Sequence, residues 1–106
     1  MARSIRIVYQ SVQGRVRVNF NWPPITQKSA VVITAAEWTP SGGIFGLTVG
    51  RPTLGEANVY VTNIGPHGPQ GEPGGVEFHL HVDWSSPLDV IVTISVLDDI
   101  EDFVTG

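Results

Sequence analysis

Residues 76–97, VEFHLHVDWSSPLDVIVTISVL, decide the fold class of this protein. They contain two runs in which apolar residues occupy every second position, and a Ser-Ser-Pro sequence separates the runs. Successive side chains of a β-strand point to opposite faces of the sheet, so this period of two predicts two strands that each bury one face. The apolar faces carry Val76, Phe78, Leu80, Val82 and Trp84 in the first run, and Leu88, Val90, Val92, Ile94 and Val96 in the second.

Strand patterns also fill the rest of the chain. Residues 5–10 and 15–22 alternate in the same way, and Gly14 between them is suited to a turn, so we expect a hairpin with arginines on its outer face. A further run is apolar on both faces, which is typical of a strand covered on both sides. The further predicted strands are 29–38, which is this doubly apolar run, 44–50 and 57–64.

These seven strands, separated by turns rich in glycine and proline, predict an all-β protein. No window of a dozen residues has helical spacing that is free of glycine or proline. We therefore expect a single domain over residues 1–106, an antiparallel β-sandwich of immunoglobulin-like or jelly-roll type. The chain has no cysteine, so the disulfide of true immunoglobulin domains is missing and the strand order stays open.

Residues 65–75 read GPHGPQGEPGG, with glycine at every third position as in collagen. Three triplets provide too few contacts between chains to offset the entropy of aligning a triple helix. The sequence therefore predicts an extended, proline-stiffened loop that turns at Gly74 and Gly75.

The net charge of −4 is unevenly distributed. Residues 1–50 carry five basic residues and one carboxylate, whereas residues 51–106 carry one basic residue and nine carboxylates, so the halves have charges of +4 and −8. An acidic chain with few aromatic residues near its arginines is not expected to bind nucleic acid. The chain contains no run that resembles a secretory signal or a membrane span, so we expect a soluble protein and leave the compartment open.

One strand face carries the residues best suited to chemistry. Glu77, His79, His81 and Asp83 occupy alternate positions of the run 76–84, so they share one face. Two histidines two residues apart on a strand can bind one divalent ion such as zinc, with Asp83 or His67 as a third ligand. The competing interpretation is a solvated strand face in which the carboxylates stabilise the imidazoles.

The strand-end tryptophans are candidates for ligand binding. Trp22 and Trp84 each follow a polar residue at the end of a predicted strand. If strands alternate in direction along the chain, both emerge at one end of the sandwich and could stack on a sugar or a peptide, with Glu77 as a further contact. The competing interpretation is that they close the ends of the core.

The sequence favours a non-catalytic binding or assembly module over an enzyme. The doubly apolar run 29–38, the apolar face of 88–96, and the positions of Tyr60 and Ile64 predict self-association through apolar strand faces, and hence a homo-oligomer. One alternative is a divalent-metal-binding protein or metal-dependent enzyme centred on His79 and His81. Another is a carbohydrate-binding module that uses the strand-end tryptophans.

Overall fold

The computed structural model describes residues 2–40 and 50–106, which form seven β-strands and no helix. Six predicted strands are confirmed to within a few residues, whereas the prediction for 44–50 falls outside the described residues except for Gly50, which is not in a strand. A short strand, β4, lies between the predicted strands 44–50 and 57–64. The strands are β1 (Arg3–Val12), β2 (Gly14–Asn21), β3 (Ser29–Thr39), β4 (Arg51–Thr53), β5 (Asn58–His67), β6 (Gly75–Asp83) and β7 (Leu88–Asp99).

The strands form two antiparallel sheets, which confirms the predicted all-β, antiparallel character. One sheet has four strands in the order β1-β7-β3-β4, and the other has three strands in the order β2-β6-β5. The two runs that decided the fold class, β6 and β7, are therefore interior strands of different sheets. Within the part of the chain that is described, no helix has the length and apolar character needed to cross a bilayer.

The predicted hairpin of the first two strands is wrong. Only Gln13 separates β1 from β2, yet β1 pairs with β7, where Ile5 lies opposite Ile94, and β2 pairs with β6 in the other sheet. Positive φ angles at Ser11 and Gly14 turn the chain from one sheet to the other. A glycine turn permits either arrangement, and the apolar faces of β6 and β7 decide between them because they supply buried partners for both strands. The arginines of the two strands are exposed, as predicted: Arg6, Arg15 and Arg17.

The core joins the two sheets. A single cluster of buried apolar side chains includes four residues from β6 and four from β7, all at most 4% exposed. Complete burial of such a side chain contributes roughly 1.5–3 kcal/mol relative to exposure. The apolar face of 88–96 is thus covered within the chain, and the expectation that it needs a neighbouring subunit is wrong. The cluster residues from these strands are Val76, Phe78, Leu80, Val82, Val90, Val92, Ile94 and Val96.

The collagen-like segment is not one extended loop. Its first three residues belong to β5, its last belongs to β6, and residues 68–74 form a folded connection against the segment that follows β2. The Gln27 amide donates to the Gly68 carbonyl at 2.9 Å, and the Trp22 amide donates to the Gly74 carbonyl at 2.8 Å. A Cβ atom at Gly74 would overlap the carbonyl oxygen of Ile25, which explains the glycine there without any triple helix.

Candidate functional site

The outward face of the three-stranded sheet carries the polar residues singled out from the sequence. Strand β6 lies in the middle of this sheet and directs Glu77, His79, His81 and Asp83 away from the core, as the alternation predicted. Strands β2 and β5 flank it in antiparallel register and add their own outward side chains. The face is therefore a continuous polar surface three strands wide.

His81 is held firmly at the centre of this face. The ring of Tyr60 stacks on it with centroids 4.4 Å apart, and the Thr62 hydroxyl lies 2.8 Å from its Nε2 atom. The ring of His79 meets it edge-on at a centroid distance of 6.2 Å. Both Tyr60 and Thr62 come from β5, where they lie opposite His81 and His79 respectively. This packing fixes the orientation of the imidazole and occupies its Nε2 atom.

Tyr60 and Asp83 form the end of the same cluster. Partial burial raises the pKa of the Tyr60 phenol above its usual 10.0, and the charge of Asp83 and a hydrogen bond to it raise the pKa further. The phenol therefore stays protonated near neutral pH and can act as a hydrogen-bond donor. Its side chain remains 41% exposed, so it is accessible to a partner.

A polar groove occupies the other end of the face, where the folded connection 68–74 rises beside the sheet. It has a volume of ≈ 580 Å³. His67 contacts two walls of the groove through its ring nitrogens. Its Nδ1 atom lies 2.9 Å from the Pro73 carbonyl oxygen, and its Nε2 atom lies 2.7 Å from Asn19 Oδ1. Because a carbonyl oxygen can only accept a hydrogen bond, Nδ1 carries a proton. The groove is lined by Arg17, Asn19, Asn21, His67, Glu72, Pro73 and Glu77.

An ion pair forms one wall of this groove. The guanidinium of Arg17 donates to Glu77 Oε2 at 2.5 Å. This hydrogen bond and the charge of Arg17 lower the pKa of Glu77, and nearby His67 lowers the pKa of Glu77 by a smaller amount. The same hydrogen bond and the charge of Glu77 raise the pKa of Arg17. An exposed pair of this kind contributes little to stability. Its effect is to hold both side chains in place along the groove.

The four predicted metal ligands are not brought together. His79 and His81 are neighbours, but His81 Nε2 is bonded to Thr62. His67 lies opposite Gly75, four residues before His79, which corresponds to about 13 Å along a strand. Both ring nitrogens of His67 already make hydrogen bonds. Across residues 2–40 and 50–106, no group of three or more His, Asp or Glu side chains is arranged to hold a metal ion.

The expectation that Trp22 and Trp84 emerge at one end of the sandwich is wrong, because they lie at opposite ends of the three-stranded sheet. Trp22 follows the end of β2 beside Gly74, whereas Trp84 follows the end of β6. The nine residues of β6, about 30 Å of extended chain, lie between them. Counting alternate directions along the chain placed them together, but β2 and β6 are antiparallel neighbours. Trp22 packs against the core, and Trp84 is 42% exposed.

Sequence patterns alone did not indicate the side chains that complete the polar face. Tyr60 and Thr62 were visible as alternate positions of one strand, and Arg17 and Asn19 as alternate positions of another. Only the sheet order places these two strands on either side of β6. That order depends on pairings between residues far apart in the chain, for which a single sequence contains no direct signal.

A second accessible surface lies where β7 ends. We call Leu97, Ile100, Phe103 and Val104 the C-terminal apolar residues; they are 42%, 55%, 95% and 84% exposed. Residues 101–106, here called the arm, have no secondary structure, and every residue of the arm is exposed. Large apolar side chains at such exposure within eight residues are the kind of patch that marks an interaction site.

No protein-family model, curated protein or solved structure matches this chain. Function is therefore inferred from the two surfaces of the chain itself: the polar face of the three-stranded sheet and the C-terminal apolar residues with the arm.

Proposed function

We propose that this protein is a non-catalytic assembly module, a β-sandwich that forms homo-oligomers through exposed apolar surface. The observation that carries the proposal is the exposure of the C-terminal apolar residues, above all Phe103 at 95% and Val104 at 84%. Burial of a large apolar side chain contributes roughly 1.5–3 kcal/mol, so covering these residues with a second copy would favour association. Single exposed apolar residues are common, but four within eight positions are not.

Strand β3 adds to this apolar surface. Its inward residues Val31 and Ile33 pack in or against the core, whereas Val32 points outward and is 50% exposed. Val32 lies opposite Ser95 of β7, and Leu97 is two residues further along the same face of β7. The exposed apolar surface therefore continues from the outer face of the four-stranded sheet into the arm. Of the apolar faces expected to drive association, that of β7 is covered, whereas Val32 of β3 and Tyr60 and Ile64 of β5 are exposed.

The polar face supports a binding role without catalysis. His81 and His67 are engaged in hydrogen bonds, and Arg17 and Glu77 are paired with each other. Such side chains form a pre-organised surface, and none of them is an activated nucleophile with a free base beside it. We therefore assign this face to recognition.

Light scattering at micromolar protein concentration tests the proposal. We expect a mass that is a multiple of the chain mass of 11.4 kDa. Chloride salt should weaken the association moderately where charges contribute, and sulfate should strengthen it where apolar burial dominates. A monomeric mass at both low and high salt would contradict self-association.

A second candidate function is the binding of a neutral polar ligand, such as a carbohydrate, in the groove beside His67. The observation that favours it is the groove itself, whose amide side chains Asn19 and Asn21 are held together by a 3.0 Å hydrogen bond. Electrophoresis in gels that contain soluble polysaccharides should show retardation, and Asn19→Ala should abolish it. Asn58→Ala, at the far end of the same sheet, is the matched control. Equal mobility of all three proteins in every gel would contradict this function.

A further inference from the structure

We infer that the arm of one copy adds as a strand to the free edge of β2 in a second copy. The inference rests on the proposed self-association and names the two surfaces that meet. Strand addition to an exposed sheet edge satisfies backbone hydrogen-bonding groups on both partners and uses alternate side chains for specificity.

Among the described edge strands, β2 has the longest pairing without a register shift. The sheet orders leave β1, β4, β2 and β5 at edges. Strand β4 has only three residues, and the pairings of β1 and β5 each contain a register shift of the kind that protects an edge. Strand β2 instead pairs with β6 over eight residues without a shift. Its other edge therefore offers a regular row of backbone donors and acceptors.

The side chains of this edge suit an acidic, apolar partner. Among residues 2–40 and 50–106, the side chain of Arg15 has no hydrogen-bond or ion-pair partner, and Val16 is 38% exposed. Arg17, two residues further on the same outward face as Arg15, forms an ion pair with Glu77. The edge thus combines positive charge with a partly exposed apolar side chain.

The arm has the complementary chemistry. Glu101 and Asp102 supply two carboxylates, and Phe103 and Val104 supply two large apolar side chains. The Ile100 amide donates to the Lys28 carbonyl at 2.8 Å, so pairing of β7 within its own sheet extends to this residue. No backbone hydrogen bond of this kind is made within the described chain by residues 101–106. The arm therefore leaves the sheet with free backbone groups, negative charge and exposed apolar surface.

Pairing of an arm with a β2 edge joins two different surfaces. Such a heterologous contact closes into a ring, is exchanged reciprocally between two copies, or propagates as a filament. The strongly basic first half and acidic second half of the chain then meet at each contact, which gives the charge asymmetry of +4 and −8 a structural role.

Cross-linking between two single-cysteine variants tests the contact, because the chain contains no cysteine of its own. Val16→Cys is mixed, after separate purification, with Phe103→Cys or with Val104→Cys, and the mixture is oxidised. Side chains alternate between faces, so one of the two arm positions should share a face with residue 16. We expect a mixed disulfide dimer for that pair by mass spectrometry, since a disulfide requires Cα atoms within about 7 Å.

The control pairs Val16→Cys with Leu54→Cys, which replaces an apolar residue that is fully exposed elsewhere. A mixed-disulfide yield no higher than that of this control would overturn the inference. A variant with both Val16→Cys and Phe103→Cys that closes a disulfide within a monomer would also overturn it, because the arm would then cover its own β2 edge.

Charge reversal separates this contact from self-association in general. Arg15→Glu, or Glu101→Arg with Asp102→Arg, should weaken association by about two- to fivefold per charge, and the combined variant should recover. Arg51→Glu, on the short strand β4, is the control. If all variants keep the parent association constant, assembly stands but uses another surface, and the inference is overturned. A parent protein that is monomeric at every concentration contradicts both the assembly function and the contact.

Discussion

The ring of Tyr60 lies parallel to the ring of His81, with an interplanar angle of 4° and a centroid distance of 4.4 Å. Each residue occupies the position directly opposite the other in the β5–β6 pair. Cross-strand pairs that include an aromatic ring stabilise a sheet, and this one also fixes the imidazole beside Thr62. The two histidines on one strand face, which are the most suggestive motif of the sequence, are therefore part of a packed surface.

The fixed position of the His81 imidazole should make the affinity of the protein for zinc low. We expect no saturable heat when micromolar zinc is titrated calorimetrically into the protein, because Thr62 occupies His81 Nε2. Thr62→Val should release that nitrogen and raise the affinity, and binding should weaken in acid because zinc binds the neutral form of imidazole. Saturable binding by the parent protein that disappears in His81→Ala would contradict this expectation and support the metal site.

The ionisation of Tyr60 should depend on Asp83. The chain has two tyrosines, so a Tyr9→Phe background leaves one, and absorbance at alkaline pH should give a midpoint above 10.0. Asp83→Asn should lower this midpoint but leave it above 10.0, because burial is the largest cause of the shift. A raised pKa in the folded state contributes stability that is present below pH 10 and is lost as pH rises. An unchanged midpoint in Asp83→Asn would show that the two side chains do not interact.

The ion pair in the groove should be visible in acid. The side-chain carboxyl of Glu77, followed by NMR, should titrate below 4.5, and Arg17→Gln should move the midpoint upward. His67→Gln should have a smaller effect in the same direction. Because the folded pKa is lowered, the stabilisation is present above pH 4.5 and is lost as pH falls through the lowered value. A midpoint that Arg17→Gln does not alter would contradict the pairing.

Alanine substitution should lower stability by different amounts at different glycines of the collagen-like segment. Gly65→Ala should be tolerated, since the nearest atom to its Cβ is 4.0 Å away. Gly74→Ala should destabilise the protein by about 1–3 kcal/mol through overlap with Ile25. Gly71→Ala has open space but a φ of 78°, which should cost roughly 1–2 kcal/mol. Urea unfolding measures all three, and equal losses would instead indicate a strict requirement for glycine at every third position.

Local patterns in the sequence predicted most of the strands but not their neighbours. The alternation in β6 correctly separated the buried Phe78 and Leu80 from the outward His79 and His81. The glycine turn at Gly14 predicts a hairpin because a local signal cannot distinguish a turn within a sheet from a crossing between sheets. The same limit placed Trp22 and Trp84 together and left Thr62 unnoticed. Each of these depends on which distant strands pair, and that choice is made by total burial over the whole chain.

The pairing of β1 with β7 also has a consequence for synthesis of the chain. The Ser4 and Ser95 hydroxyls form a hydrogen bond across 91 positions of the chain. Strand β1 therefore has no partner in its own sheet until β7 has been synthesised. Closing so long a loop makes folding slow. During this interval β1 has no partner strand, and we expect the charges of Arg3 and Arg6 to discourage its pairing with other nascent chains. The basic character of the first strand would then protect the chain before it folds.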